Sequence, residues 1–176
     1  MRLTTLTLAL FPISAFAAGS ETPATPTPSE TTTVCDDGLV WDIATQSCMT
    51  PEQSTNDDSA RLNDVRELAY EGQLVAALDV LRSLEDQTSP LALTYYGFVH
   101  RQLGDSARGM TFYQAALQAD PDNLLARSYM GQGYVATGQM AQAQEQLTQI
   151  RMRGGQDSWP EVALAQAIAT GALTNY

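Results

Sequence analysis

The sequence predicts an all-α domain in which about three helix-turn-helix units stack on one another and a further helix covers the last of them. One pattern of small and aromatic residues is written twice between residues 90 and 153, with the two copies 34 positions apart. The matched pairs are Tyr96-Gly97 with Met130-Gly131, Gly104 with Gly138, Gly109 with Ala143, Tyr113 with Leu147, and Ala116 with Ile150. The second observation is that turn-forming residues separate the helical stretches at matching places. An internal repeat of this length indicates units that bury their apolar faces only against their neighbours.

Small residues in each copy lie where the two helices of a unit must approach closely. Gly97 and Gly131 hold this position, and the gap around them is expected to be filled by larger side chains, which are His100, Tyr113, Tyr134 and Leu147. Gly104 and Gly138 are expected to end the first helix of each unit, and Asp105 to cap the start of the second. The run 120–123, Asp-Pro-Asp-Asn, ends one unit and begins the next.

This pattern resembles that of the tetratricopeptide repeat family, which is W-x2-L-G-x2-Y, then A-x3-F-x2-A, then P. The first copy matches at Tyr96-Gly97-x2-His100, Gly109, Tyr113, Ala116 and Pro121, and the second at Met130-Gly131-x2-Tyr134, Ala143, Leu147 and Ile150. The resemblance implies a right-handed superhelical stack of 34-residue units. The chain departs from the pattern in that Leu93 and Arg127 stand where the family has tryptophan, Gly109 replaces an alanine, and the second copy lacks the closing proline.

A degenerate first unit is expected upstream, so that the helical domain spans residues 57–176. Asp57 or Asp58 caps a helix over residues 60–71, Gly72 breaks it, and a second helix covers residues 74–85. Val65 stands where the packing glycine should be. At the other end, Ser158 and Glu161 predict a capping box, followed by an apolar helix over residues 162–169 that covers the end of the stack.

The first 17 residues read as a secretory signal peptide. Arg2, a short apolar run and Ala15-Phe16-Ala17 predict cleavage after Ala17 and export to the periplasm or the exterior, without membrane insertion afterwards. The alternative is an uncleaved N-terminal anchor. Residues 18–33 are rich in Thr, Pro and Ser and are expected to form a disordered linker.

Two cysteines of an exported chain then suggest a mini-loop over residues 34–49 that is closed by a Cys35–Cys48 disulfide, with residues 50–56 as a second linker. The segment resembles short C-x2-G-x-V-W-D cysteine motifs of bacterial secreted proteins and, more loosely, small chitin-binding knots. One interpretation is that Trp41, with Asp36, Asp37 and Asp42, docks a sugar or a protein. The other interpretation is a structural staple.

Composition and motifs argue against several classes of function. The chain has 9 basic residues, all arginine, against 20 acidic residues, which disfavours a nucleic-acid partner. We identify no nucleophile with a nearby base, no phosphate-binding loop and no metal-ligand cluster, so no catalytic residue, cofactor or metal is predicted. The lone His100 is interpreted as a packing residue, and Glu67, Glu71 and Glu85 as charges on solvated helix faces.

The function is therefore sought in the concave groove that the first helices of the units form. In the family, groove positions are the second, fifth, ninth and twelfth of each unit, which here gives Ser59, Leu62, Arg66 and Ala69, then Leu91, Thr94, Phe98 and Arg101, then Leu125, Ser128, Gln132 and Val135. We expect Phe98 to be an apolar anchor for a partner peptide, and Arg66 or Arg101 to pair with a carboxylate. The groove lacks the Lys and Asn pattern with which some family members clamp a C-terminal carboxylate. The alternative is that the stack binds through its ends.

Three functional hypotheses follow. The first is an exported, non-enzymatic adaptor for a protein partner, expected to be an envelope or periplasmic protein. The second is a cell-wall or glycan-binding protein that uses the Cys35–Cys48 loop with Trp41. The third, an enzyme, would need an activity that depends on His100 or on the aspartates of the loop.

Overall fold

The computed structural model describes residues 28–173. The predicted signal peptide over residues 1–17 and most of the predicted linker lie outside these residues. Within them, a short helix α1 (Glu30–Thr33) precedes a two-stranded antiparallel sheet of β1 (Val40–Asp42) and β2 (Ser47–Met49), in which Trp41 is paired with Cys48. Seven longer helices follow, so the predicted all-α repeat stack is confirmed.

The long helices form three antiparallel hairpins and one closing helix. Their bounds are α2 (Asp58–Tyr70) and α3 (Leu74–Arg82), α4 (Pro90–Gln102) and α5 (Ser106–Ala119), α6 (Leu124–Ala136) and α7 (Met140–Met152), and α8 (Trp159–Thr170). The first helices α2, α4 and α6 lie next to one another in the stack, and α8 packs against both α6 and α7. The degenerate first unit is thus present, with bounds close to those expected.

The turns follow the predicted chemistry. Gly104 and Gly138 end the first helices of their hairpins with φ angles of 91° and 74°, and Gly72 ends α2 in the same way. Glycine is suited to these positions because a Cβ atom disfavours positive φ. The Asp105 carboxylate accepts a hydrogen bond from the Arg108 N–H at 3.1 Å and so caps α5, as expected.

The two packing glycines mark close helix contacts, but with different partners. A Cβ at Gly97 would lie 2.5 Å from two ring carbons of Tyr113 in α5, the other helix of the same hairpin. At Gly131 the nearest atoms belong instead to Leu164 of α8, at 2.6 Å. The large Tyr113 ring reaches the first glycine, whereas Leu147 at the corresponding place is smaller. The repeat in the sequence is therefore only approximately repeated in the packing.

Most of the residues predicted to pack the repeats are buried. The buried ones are Gly97, Tyr113, Ala116, Gly131, Ala143 and Leu147. Tyr134 is half-buried and Pro121 is exposed, so the prediction is wrong for Pro121, which lies in the turn after α5. His100 is half-buried and stacks on Phe112 with ring centroids 5.3 Å apart.

The N-terminal segment is packed onto the stack, and the two linker predictions are wrong for the residues that the structure describes. Ser29 caps α1, and Thr31 is 2 % exposed. Residues 50–56 contain a turn with three buried residues, Pro51, Ser54 and Asn56. The Cys35–Cys48 disulfide is present, with Cα atoms 5.5 Å apart. We call residues 29–56 the disulfide module.

The predicted capping box at α8 is also wrong. Ser158 is the N-cap residue, but its hydroxyl donates to the Gly155 carbonyl at 2.6 Å instead of accepting from the helix. Glu161 accepts hydrogen bonds from Arg151 of α7, with the shorter at 2.6 Å. Glu161 therefore connects α8 to α7, whereas the Ser158 hydroxyl bonds within the turn before α8. The helix α8 covers the end of the stack as predicted.

Candidate functional site

An open cleft lies at the N-terminal ends of α2, α4 and α6 and has a volume of about 480 Å³. Five of its lining residues are predicted groove positions, which are Ser59, Leu62, Arg66, Leu91 and Leu125. The others are Asp58, Asn63, Asp86, Ser89 and Tyr95. The groove positions predicted from the sequence therefore account for half of this lining. They do not include Tyr95, although it directly precedes the matched pair Tyr96-Gly97.

The three helices begin with the same kind of side-chain cap, and the first turn of each lies at the cleft. Asp57, Ser89 and Asn123 are the N-cap residues, and each side chain accepts a hydrogen bond from the backbone N–H three residues later. Such caps fix where a helix begins. Residues of the first turns of α2, α4 and α6, such as Ser59, Leu91 and Leu125, line one surface.

Arg66 provides the positive charge of the cleft. Its side chain is half-buried, and its Nε is buried without a hydrogen-bond partner. In the described part of the chain, Arg66 forms no ion pair, although 20 acidic residues are present in the sequence. A partly buried guanidinium of this kind favours a carboxylate ligand, because its fork of N–H donors matches the two oxygens.

The two aspartates of the cleft are already engaged elsewhere. The Asp58 carboxylate accepts hydrogen bonds from the N–H groups of Glu85 and Asp86, both at 2.9 Å. Asp86 in turn accepts from the hydroxyl and N–H of Thr88, which hold the pKa of its carboxyl below the usual value. These bonds order the loop between α3 and α4 and leave Arg66 without a partner among them.

The remaining seven predicted groove residues are buried, which corrects the prediction of an exposed groove centre. They are between 0 % and 8 % exposed and comprise Ala69, Thr94, Phe98, Arg101, Ser128, Gln132 and Val135. Phe98 is 1 % exposed and so is not an anchor at the surface.

Aromatic side chains from four helices explain this burial. The ring of Phe98 lies 5.6 Å from that of Tyr70 in α2 and 4.8 Å from that of Tyr129 in α6. The hydroxyls of Tyr70 and Tyr129 are hydrogen-bonded to each other. Trp159 of α8 extends the row, at 6.2 Å from Tyr129. The centre of the concave side is therefore filled by these aromatic side chains.

Arg101 is a core residue and not a groove cation. Its Nε donates to the Tyr113 hydroxyl at 3.4 Å, and its guanidinium carbon lies 5.5 Å from the centroid of the Phe98 ring. One of its terminal nitrogens is buried without a hydrogen-bond partner. Burial raises the pKa of Tyr113 to about 12, so this hydroxyl stays protonated beside the arginine.

Glu67 and Asp64 connect α2 to the disulfide module. Glu67 is 6 % exposed, which corrects its interpretation as a solvated charge. Its carboxylate accepts from the N–H and hydroxyl of Ser29, both at 2.7 Å, and from the Thr32 hydroxyl. Asp64 accepts from the Thr31 hydroxyl at 2.7 Å, and burial nevertheless raises its pKa to about 6.

Trp41 lines a second, smaller cavity between the module and α2, with a volume of about 210 Å³. This cavity shares Asn63 and Arg66 with the cleft. Asp42, which one of the two interpretations of the loop places against a ligand, is 0 % exposed. It accepts hydrogen bonds from the N–H groups of Thr55 and Thr45, and these hold its pKa far below the usual value. Only Asp36 and Asp37 of the three loop aspartates are exposed.

Two further observations concern residues 28–173. No group of three or more His, Cys, Asp and Glu side chains there is arranged to hold a metal ion. None of the helices in this range has both the length and the apolar character required to cross a membrane.

Comparison with known families gives one match. A family model described as tetratricopeptide repeat matches residues 100–168, from the end of α4 into α8. The match covers the second hairpin in part, the third in full and most of the closing helix, and it supports a tetratricopeptide-type protein. Neither curated proteins nor solved structures gave a match.

Proposed function

We propose that this protein is an exported, non-enzymatic adaptor that binds a peptide of a partner protein in the cleft at the N-terminal ends of α2, α4 and α6. The observation that carries the proposal is the half-buried Arg66, without an ion pair in the described residues, in a cleft that is also lined by three leucines and a tyrosine. The matched repeat family supports a protein ligand, because tetratricopeptide domains generally bind proteins.

The lining of the cleft specifies the ligand. Leu62 of α2 and Leu91 of α4 provide accessible apolar side chains, whereas Leu125 and Tyr95, which are 6 % and 3 % exposed, are buried residues of the lining. A cleft of about 480 Å³ is large enough for a few side chains of a peptide. We therefore expect a segment that carries an apolar side chain close to a carboxylate, in an extended or helical conformation.

The free energy of a hydrogen bond between Arg66 and a carboxylate determines how much its removal should weaken peptide binding. A hydrogen bond to a charged group is worth about 1.5–3 kcal/mol. Truncation of Arg66 should therefore weaken peptide binding by roughly 10-fold to 100-fold.

Export is supported by two features. The first 17 residues have the character of a signal peptide, and the Cys35–Cys48 disulfide is stable in an oxidising compartment such as the bacterial periplasm. The partner is accordingly proposed to be an envelope or periplasmic protein.

The test is a random-peptide display selection against purified residues 18–176. We expect the selected peptides to share an Asp or Glu next to an apolar residue, and to bind Arg66→Ala roughly 10-fold to 100-fold more weakly in a titration. Arg108→Gln, which changes an exposed arginine on α5, is the matched control and should bind as the wild type does. Peptides that bind the wild type and Arg66→Ala equally well would place recognition outside the cleft.

A second candidate function, binding of a glycan, is favoured by the position of Trp41 beside the cleft. Because the module packs onto α2, this hypothesis is tested on the full chain and not on separated halves. Sedimentation with insoluble peptidoglycan or chitin should retain the wild type and lose Trp41→Ala if the loop recognises sugar. Equal sedimentation of the two proteins would exclude Trp41 as the contact.

A further inference from the structure

A third cavity lies between α3, α4 and α5 and shares no residue with the cleft. Its volume is about 430 Å³, which is within the size range of small-molecule sites. The residues used below are Arg82 of α3, Leu93, Tyr96 and His100 of α4, and Arg108 and Phe112 of α5. The match to a peptide-binding repeat assigns no role to this cavity.

Three nearly parallel rings form one side of the cavity. The Phe112 ring stacks on Tyr96 at 5.0 Å with an interplanar angle of 17°, and on His100 at 5.3 Å with an angle of 8°. The guanidinium carbon of Arg108 lies 5.9 Å from the centroid of the Phe112 ring. Such a surface offers planar apolar contact with a cation held at its edge.

The charge of the lining is opposite to that of the protein. The chain has a formal net charge of -11, yet the cavity is lined by two of its nine arginines, by its single histidine and by no carboxylate. Arg82 is paired with Asp79 at 2.7 Å, whereas Arg108 forms no ion pair in the described part of the chain. The nearby Asp105 is used to cap α5.

The pKa of His100 is shifted by the residues around it. Burial lowers its pKa, and the positive charges of Arg108 and Arg82 lower it further, while Asp105 acts in the opposite direction. An anion placed between His100 and Arg108 would offset the positive charge of the arginines and so raise the pKa of His100.

We propose that this cavity binds an aromatic carboxylate. The ring of the ligand packs against Leu93 and the Tyr96–Phe112 pair, and the carboxylate lies at Arg108 and His100. A neutral ligand of the same shape lacks the charge interaction. This proposal is independent of peptide binding in the cleft.

The single histidine makes the test specific for this site. His100 is observed by NMR in protein labelled with ¹⁵N-histidine, and its pKa is titrated with and without benzoate at about 20 mM, a concentration above the roughly millimolar dissociation constant of so small a ligand. We expect benzoate to raise the pKa of His100 by about 0.5–1, which corresponds to roughly 3-fold to 10-fold tighter binding to the protonated protein. Benzamide, the neutral analogue, should leave the pKa unchanged.

Two variants separate this site from the cleft. Arg108→Gln should abolish the effect of benzoate, and because the side chain is exposed the variant should remain folded. Arg66→Ala should leave the effect intact. The proposal is overturned if benzoate does not move the pKa of His100, if an equal concentration of chloride moves it as far, or if Arg108→Gln responds as the wild type does.

Discussion

The close contact between Gly97 of α4 and Gly109 of α5 gives a prediction that opposes the family pattern. Gly109 stands where the repeat family has alanine, and a Cβ there would lie 2.8 Å from the Gly97 carbonyl oxygen and 3.2 Å from the Arg101 backbone nitrogen. Both of these are backbone atoms, so the contact is relieved only if the two helices move apart. Ala143 holds the corresponding position in the next hairpin and is accommodated there at 0 % exposure.

The magnitude follows from two opposing contributions. Replacing a helical glycine with alanine stabilises a helix by about 0.5–1 kcal/mol. Overpacking a close-packed interface costs about 1–3 kcal/mol, and contact with backbone puts Gly109→Ala near the upper end. We therefore expect Gly109→Ala to lower the free energy of unfolding by about 1.5–2.5 kcal/mol, or the Tm by roughly 4–10 °C for a domain of this size.

Gly133→Ala in α6 is the matched control. A Cβ at this position would lie 3.2 Å from the sulfur of the flexible Met110 side chain and 3.5 Å from the Arg101 Cδ, which is an ordinary van der Waals distance. We expect this variant to be as stable as the wild type or more stable by up to about 1 kcal/mol. Urea unfolding followed by circular dichroism measures both variants, with the m-value as a check on two-state behaviour. If Gly109→Ala were as stable as Gly133→Ala, the α4–α5 packing would be incorrect.

Three further predictions concern stability. Phe98→Ala should lower the free energy of unfolding by about 3–5 kcal/mol in urea, because the ring is fully buried; a loss below 1 kcal/mol would mean that Phe98 is exposed after all. The raised pKa of Asp64, about 6 against 3.8, means that the folded state retains the proton, so the contribution of this group to stability is greatest below pH 4 and is lost as the pH rises through 6. Relative to Asp64→Asn, the wild type should therefore lose up to about 3 kcal/mol between pH 4 and pH 7, and parallel pH profiles would contradict this. Replacing both cysteines, as Cys35→Ser with Cys48→Ser, should lower the free energy of unfolding by roughly 3 kcal/mol, because the unfolded chain gains loop entropy. Hydrogen exchange of backbone amides should increase first at Thr31. Unchanged exchange at Thr31 would show that the module does not depend on its disulfide.

The features that were predictable from the sequence are local or periodic. The 34-residue spacing, the glycine that ends each first helix and the capping aspartates each depend on a few neighbouring residues. Half of the residues that line the cleft were also predictable from the sequence, because groove positions are fixed by their place within a unit.

The burial of Phe98 was not predictable in this way. It depends on Tyr70 and Tyr129, which are 59 positions apart and meet across α4 through their hydroxyls. A periodic pattern assigns a face to each residue, but it does not state how tightly three neighbouring helices close around it.

The disulfide module shows a second limit. Its Ser and Thr residues have the composition of a linker, and Glu67 and Asp64 have that of a solvated helix face. The positions of the hydroxyl residues and of the carboxylates depend on one another, because the hydroxyls of Ser29 and Thr31 donate hydrogen bonds to the two buried carboxylates. A reading of either segment alone therefore misses the contact.

Site-specific photo-crosslinking in the cells that produce the protein tests the proposed adaptor function most directly. A photoreactive amino acid in place of Leu91, which is 37 % exposed in the cleft, should crosslink to a protein partner, and the product should disappear when Arg66→Ala is added. The same amino acid in place of Val75, which is 65 % exposed on α3, should give no such product. A partner captured from Val75 but not from Leu91 would contradict binding in the cleft.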